Sequence, residues 1–306
     1  MSLQRSMPWF LVGVLLAFCH VAGGQEKLLR WKFKKGQTLN VVISQTSHTE
    51  TTVKDTKLTM DLSWNMEMTW TVEKVGQDGS AEMTQSFTRM TIEMTLPKVG
   101  TIKFDSAAKE APEGFAEEIA DRIGPLIGAQ FKVKMNNRGA IVEVHFPEEI
   151  LKQLEESQPS SNLKGLLNRD GIDKMLRQSV ALLPEKPISK GDRWKVANDT
   201  PSPIGVLRQS HEYTYAMTEI RDNTPLEKIT VNSKIEIVPK KNEPASKTKL
   251  KKQQQSGVLY FDHEAGRFVE SSINQELTSE TPFGDLTIHV KVKSSMKTRF
   301  TPADNH

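Results

Sequence analysis

Six methionines, Met60, Met66, Met68, Met83, Met90 and Met94, crowd one short stretch of the chain. Thioether sulfur is a soft ligand that selects Cu(I), so copper is the first chemistry to weigh. Such copper sites gather histidines or tight repeats around the sulfurs. Here the methionines instead alternate with polar residues: in "LTMDLSWNMEMTW", residues 58–70, Leu58, Met60, Leu62, Trp64, Met66, Met68 and Trp70 occupy every second position. No metal is expected. The stripe reads as one face of a strand, either a plain sheet core or a deformable apolar surface of the kind flexible Met side chains favour. Trp64, Met66, Met68, Trp70, Met90 and Met94 are therefore the candidate ligand-binding residues, for a lipid-like molecule or a hydrophobic peptide.

Other chemistry is sparse, and no catalytic residue and no cofactor are nominated. Asp262, His263 and Glu264 are consecutive, but within a hairpin turn neighbouring side chains diverge into solvent. The remaining histidines are scattered, and neither a zinc-protease helix motif nor a nucleophile elbow occurs. A hydrolase of wall polymers would need a carboxylate pair that the sequence does not display, so an enzymatic role is disfavoured though left open. The run "PKKNEPASKTKLKKQQQ" makes Lys240, Lys241, Lys249, Lys251 and Lys252 candidates for contact with a polyanion, such as an anionic envelope component, or with a membrane surface. Nucleic acid is not expected: 41 Lys plus Arg stand against 38 Asp plus Glu, and no aromatic is interleaved to stack on bases.

These residues need a sheet to hold them. "VGQDGS", residues 75–80, is a turn leading into "AEMTQSFTRMTIEMTL", where Ala81, Met83 and Phe87 occupy odd positions but Met90, Ile92, Met94 and Leu96 even ones. A slip of one residue would turn the core face to solvent, so a bulge is expected at Thr88–Arg89. Hairpins are expected at Asn136–Gly139 and His263–Gly266, and "DLTIHVKVKSSMKTRF" alternates apolar residues against Lys291, Lys293, Lys297 and Arg299. Three short helices complete the reading, one carrying Phe115, Ile119 and Ile123, one beginning at Pro147, and one carrying Ile172, Met175, Leu176 and Leu183 and stopping at Pro184. The fold class is α+β: a long-stranded antiparallel sheet, as a sandwich or an open half-barrel, with a few short helices.

Residues 1–24 have a basic start at Arg5, an apolar run from Trp9 to Phe18 and small residues Ala22 and Gly24, the pattern of a secretory signal. The apolar run is too short to span a bilayer, and no transmembrane segment is expected in the mature chain. Cleavage before Gln25 would remove Cys19, the single cysteine, so the mature chain would hold no disulfide, which favours a bacterial periplasm or extracellular space. "FKKGQTL" at 33–39 echoes "ISKGDRW" at 188–194, suggesting two pseudo-repeated halves: residues 25–155, with a helical insert near 105–130, and residues 166–306, joined by a linker at 156–165.

Together "WKFKKGQTL", "VEKVGQDGSAEM", "IKFDS", "FKVKMNNRGAIVEV", "LPEKPISKGDRW" and "FDHEAGR" resemble a family of secreted bacterial proteins known only as a domain of unknown function. These motifs are turns and strand edges, so the resemblance implies a fold and an address but no catalytic residues. A looser likeness, of architecture and not of motif, is to periplasmic lipoprotein carriers. The expectation is a secreted, non-enzymatic protein that binds an apolar or amphipathic ligand on a Met/Trp-lined sheet face; the alternative is a structural or protein-interaction module of the bacterial envelope.

Overall fold

A computed structural model of the chain describes residues 26–156, 169–177, 180–202, 205–238 and 247–303. The signal-like residues 1–24, Lys240, Lys241 and most of the expected linker lie outside them. The long alternating runs form β1 (Thr38–Val53), β2 (Thr56–Val75), β3 (Ala81–Leu96), β4 (Gly100–Asp105), β5 (Gln130–Met135), β6 (Ile141–His145), β7 (Arg193–Ser202), β8 (Gly205–Arg221), β9 (Thr224–Val238), β10 (Lys249–Asp262), β11 (Arg267–Phe283) and β12 (Leu286–Pro302). Helices α1 (Phe115–Ile123), α2 (Glu148–Glu156) and α3 (Arg169–Arg177) are short.

The strands make one open antiparallel sheet in the order β6-β5-β3-β2-β1-β12-β11-β10-β9-β8-β7, with β4 extending β3. β1 to β12 pairing joins the two ends of the chain at the centre of the sheet. Tight turns set the neighbours; at Asp222–Asn223 both residues have positive φ, as a two-residue turn matched to strand twist requires. The bulge falls where the phase slip puts it: Glu67 faces Arg89 while Met68 faces Phe87, so Thr88 is the extra residue. It keeps Met83 and Phe87 on the same face as Met90, Ile92 and Met94.

That inner face curls over a core. Leu29, Trp31, Val41, Met66, Met68, Trp70, Phe131, Leu183, Phe261, Phe268 and Phe300 are all buried. Trp31 is the hub, with ring centroids 6.4 Å from Trp70, 5.8 Å from Phe268 and 6.0 Å from Phe300. Residues preceding β1 thus plug the base of the sheet. Trp31 N donates to Asn137 O, Lys32 N to Gly266 O, and Lys27 forms a two-way backbone bridge with Ile188. The curl brings the β5–β6 turn against the chain entering β7, where Leu183 N donates to Arg138 O at 2.9 Å.

Two helix expectations need correction. Phe115 is 42% exposed, and Ala116 is buried in its place on the helix face that carries Ile119 and Ile123, the two residues packed with Phe104, because the helix begins only at Phe115 and its 3–4 spacing favours Ala116. Leu183 is buried but not helical, since α3 ends at Arg177 and the 180–183 segment spends its backbone on the β5–β6 turn.

Gly266, at φ 65°, closes the β10–β11 hairpin directly under Lys32. A Cβ there would run into the Lys32 side chain and lie 2.7 Å from its backbone nitrogen. Gly266→Ala is expected to cost about 2 kcal/mol, from a left-handed conformation added to overpacking, read as a lowered urea midpoint.

Candidate ligand-binding face

The register decides which residues share the inner face. From β2 these are Leu58, Met60, Leu62, Trp64, Met66, Met68 and Trp70; from β12, Ile288, Val290, Val292, Ser294, Met296, Thr298 and Phe300. Followed through β1–β3 and β7–β12, the described inner-face positions include a single charged residue, Glu227. It is 3% exposed at the base, where Lys27 Nζ lies 2.6 Å from Oε1 and Tyr215 Oη donates to Oε2 at 2.7 Å. The outer face carries the charge instead, including Glu50, Asp61, Glu93, Lys293 and Lys297. A core needs this segregation only where it is sealed, yet here it continues above the core.

Along the strands the inner face changes in three steps. At the base are the sealed aromatic and aliphatic residues. Next comes a polar belt, one residue per strand in continuous register: His211 faces Ser233, Ser233 faces Gln255, Gln255 faces Gln275, Gln275 faces Ser294 and Ser294 faces Ser47. His211 Nδ1 is 2.7 Å from Ser233 Oγ, Gln209 Nε2 donates to Gln255 Oε1 at 3.0 Å, and Ser294 Oγ donates to Gln275 Oε1 at 3.4 Å. Burial lowers the His211 pKa, which keeps the ring neutral at neutral pH, and pushes the neighbouring Tyr213 phenol up to about 12. Beyond the belt apolar residues return, with Leu62, Met94, Leu207, Ile235, Leu277, Val290 and Val292 half-buried and Leu58 45% exposed, interspersed with the uncharged polar residues Thr49, Thr51, Gln209, Gln253 and Ser279.

Among the described residues, two hollows of ligand size open on this face. One, of about 380 Å³, lies at and below the belt, between Val231, Leu259, Ile273 and Met296 of the sheet and Gly139–Ile141 with Val180–Leu182 opposite. Trp194 stacks on Tyr213 at its wall and donates from Nε1 to Leu182 O at 2.8 Å. The other, of about 550 Å³, lies at the far end, between Leu58, Met60, Leu96 and Val99. Both volumes fall in the range of small-ligand sites. A trough of about 670 Å³ on the outer face is polar, with His48 2.6 Å from Asp61 and 3.3 Å from Glu50. Those two carboxylates raise the pKa of His48.

The candidate residues on β2 and β3 divide by height. Met66, Met68 and Trp70 are at most 3% exposed, inside the core. Trp64 is half-buried against it, Met90 is half-buried beneath α1 in a separate cluster with Phe104, Ile119 and Ile123, and Met94 stands on the half-buried upper wall. The lysine candidates Lys249, Lys251 and Lys252 lie on β10, where Lys251 pairs with Glu280 and Lys252 with Glu276, each at 2.8 Å. Hydrogen bonds from these lysines hold both carboxyls below their usual range, so the patch is largely neutralised across the strand pair. Asp262 serves its turn, accepting from Ala265 N at 2.8 Å, and the His263 carbonyl accepts from Lys32 Nζ. The polar belt and the β7–β12 wall were not singled out from sequence. Their trace is the spacing Gln253, Gln255, Gly257, Leu259, Phe261 on β10, polar and apolar on one face.

A single family model matches residues 78–266, from the Asp-Gly turn before β3 to the glycine that closes the β10–β11 hairpin. The chain belongs to DUF6263, a family of unknown function. No curated protein matches it. Among solved structures, lipovitellin, in a study of its lipid–protein interactions, aligns at 11% identity and a TM-score of 0.45. That alignment covers 90% of this chain but only 26% of lipovitellin. An outer membrane channel from Pseudomonas putida F1 aligns at 8% identity over 88% of this chain and 97% of its own, with a TM-score of 0.23. A DUF1329 family protein from Desulfovibrio piger ATCC 29098 aligns at 9% identity over 87% of each chain, with a TM-score of 0.14. These overlaps are too loose to carry functional meaning. Among the described residues no helix is long and apolar enough to cross a membrane.

Proposed function

We propose that this DUF6263 chain binds an apolar or amphipathic ligand, lipid-like in character, on the inner face of its open sheet. One observation carries the reading: among the described residues, the inner-face positions of β1–β3 and β7–β12 stay free of charge beyond the sealed core, where Leu58, Met60, Leu62, Leu277, Val290 and Val292 meet solvent. Water-facing sheet surface normally alternates to polar residues, as the outer face here does. Large apolar side chains that face solvent on an uncharged sheet face, here interspersed with Thr49, Thr51 and Ser279, suit a binding surface. The accessible part of the Met/Trp stripe is then its upper end, with Met94 and the edge of Trp64, while Met66, Met68 and Trp70 support it from below.

The reading includes a secreted address, in the periplasm or outside the cell, supported by the basic start, apolar run and small residues before Gln25. A chain recovered from its native secreting host still beginning at Met1 would contradict this. It also includes an origin in two sheet-rich halves, supported by the Lys-Gly turns opening β1 and β7.

The test places a charge on the wall. Leu277 and Val292 are cross-strand partners on the half-buried part of the face. Leu277→Asp is expected to change stability by less than ~1 kcal/mol, as at a surface position, while weakening uptake of the uncharged dye Nile red at least ~10-fold, because the apolar ligand must then meet an unpaired carboxylate. Native mass spectrometry of gently purified protein is expected to reveal co-purified lipid. Unchanged dye uptake in the variant and lipid-free wild type would leave the structural-module alternative.

A further inference from the structure

We infer that the belt of His211, Ser233, Gln255, Gln275 and Ser294 receives an uncharged hydrogen-bonding group, an ester or an amide, in the interior of an acyl-chain ligand, so that the protein prefers neutral amphiphiles to anionic ones of the same chain. This rests on the binding reading above and names its ligand class.

Three observations converge on it. The belt is polar but holds no carboxylate, ammonium or guanidinium: it is built of two amides, two hydroxyls and one imidazole, in register across five strands. An anionic headgroup brought here would lose hydration without meeting a counter-charge. Among the described residues, the cation bordering the 380 Å³ hollow, Arg177, is already engaged, donating from Nε to Asp173 at 2.7 Å and from a terminal nitrogen to the Ile141 carbonyl at 2.7 Å. Glu227, the inner-face acid, is sealed beneath and held by Lys27.

The belt also keeps donors in reserve. Gln255 and Gln275 spend their carbonyl oxygens on Gln209 and Ser294. Among the described residues no protein acceptor takes a bond from either amide nitrogen, so two N–H-bearing groups remain to meet an ester or amide carbonyl. Their surroundings specify where that carbonyl sits in the ligand. Apolar residues flank the belt on both sides, with Val231, Ile273 and Met296 below and Ile235, Leu277 and Val292 above, the last group beside the uncharged amides of Gln209 and Gln253. A terminal carboxylate or phosphate has chain on one side only; an internal ester or amide has apolar substituents on both. At neutral pH the His211 ring, desolvated by burial, adds no charge to attract an anion.

The experiment compares methyl oleate with oleate at pH 8 as competitors of bound Nile red, in the wild-type protein and in a Gln255→Leu/Gln275→Leu double variant. Each replacement sits in a half-buried position and is close in volume, so the variant is expected to fold, which its near-ultraviolet circular dichroism would verify. In the wild type, methyl oleate is expected to displace the dye at a roughly 10-fold lower concentration than oleate, the effect of one or two hydrogen bonds to a desolvated site. In the variant the ratio is expected to shrink to within about threefold, because partitioning alone would leave it unchanged. Oleate competing as well as or better than the ester, or a ratio unaltered in the variant, would overturn the inference while dye binding kept the broader reading alive. A wild-type protein that bound neither Nile red nor either competitor would overturn both.

Discussion

Trp70→Ala is expected to lower stability by about 4 kcal/mol, while Met60→Ala, on the same stripe of the same strand, costs about 1 kcal/mol or less. Trp70 is 1% exposed, with its ring 5.6 Å from Phe300 and 6.4 Å from Trp31, so truncation opens a cavity at the junction of β1, β2, β12 and the segment before β1. Met60 lines the far hollow and already meets solvent on one side. Uptake of an apolar ligand is expected to respond in the opposite order, weakened by Met60→Ala and unaltered by Trp70→Ala at temperatures where the variant remains folded. Urea unfolding of both variants beside wild type, with dye titration at low denaturant, measures the pair of effects. Equal stability losses at the two positions would mean that the stripe is sealed along its whole length.

Lys27→Met is expected to cost about 3 kcal/mol, because it strands the Glu227 carboxylate in a site 3% exposed. Tyr215 and Thr218 still donate to Glu227 Oε2, at 2.7 and 3.0 Å, but neither supplies charge. The double variant Lys27→Met/Glu227→Leu is expected to recover much of the loss, since the buried acid leaves with its partner. Burial alone would lower the Lys27 pKa, but the hydrogen bond and charge of Glu227 more than offset it and raise the pKa above its ordinary value. The sign follows from linkage: stability contributed by a group whose pKa is raised on folding is fully present below its unfolded pKa and is lost as pH rises through the folded one. Wild type should therefore weaken above about pH 10.5 relative to Lys27→Met, whose stability lacks that decline. Chemical denaturation at pH 8 and pH 11 would measure it, and parallel losses in both proteins would count against the pair.

Much of the architecture was legible in the sequence because period-two alternation runs through most of β2, β3 and β12, the upper half of β1 with Gln45, Ser47, Thr49 and Thr51 on its inner face being an exception. The phase slip at Thr88–Arg89 located a bulge to the residue, since only an inserted residue keeps Phe87 and Met90 on one face. Turn glycines Gly139 and Gly266 marked their hairpins by the positive φ they adopt, 95° and 65°. Short helices were less legible: over nine residues a small Ala116 and a large Phe115 are both one helical step from Ile119, and the structure buries Ala116 while leaving Phe115 exposed. The candidate site was legible in kind but not in depth. The stripe on β2 reads alike from Leu58 to Trp70, yet its lower end is sealed by Leu29 and Trp31 and by Leu183, residues distant in sequence from much of the core they cover. The belt was hidden altogether, because His211, Ser233, Gln255, Gln275 and Ser294 become one row only through four cross-strand registers.

The most direct test of ligand binding on the inner face is photo-crosslinking with an acyl chain bearing a terminal diazirine, followed by peptide mapping of the labelled protein. Labels are expected on inner-face residues of the upper strands, among them Met60, Leu62, Leu277, Val290 and Val292, and are expected to disappear when unlabelled lipid competes. Labels confined to outer-face residues such as Thr46, Asp61 and Lys293, or labelling that no competitor reduces, would contradict it.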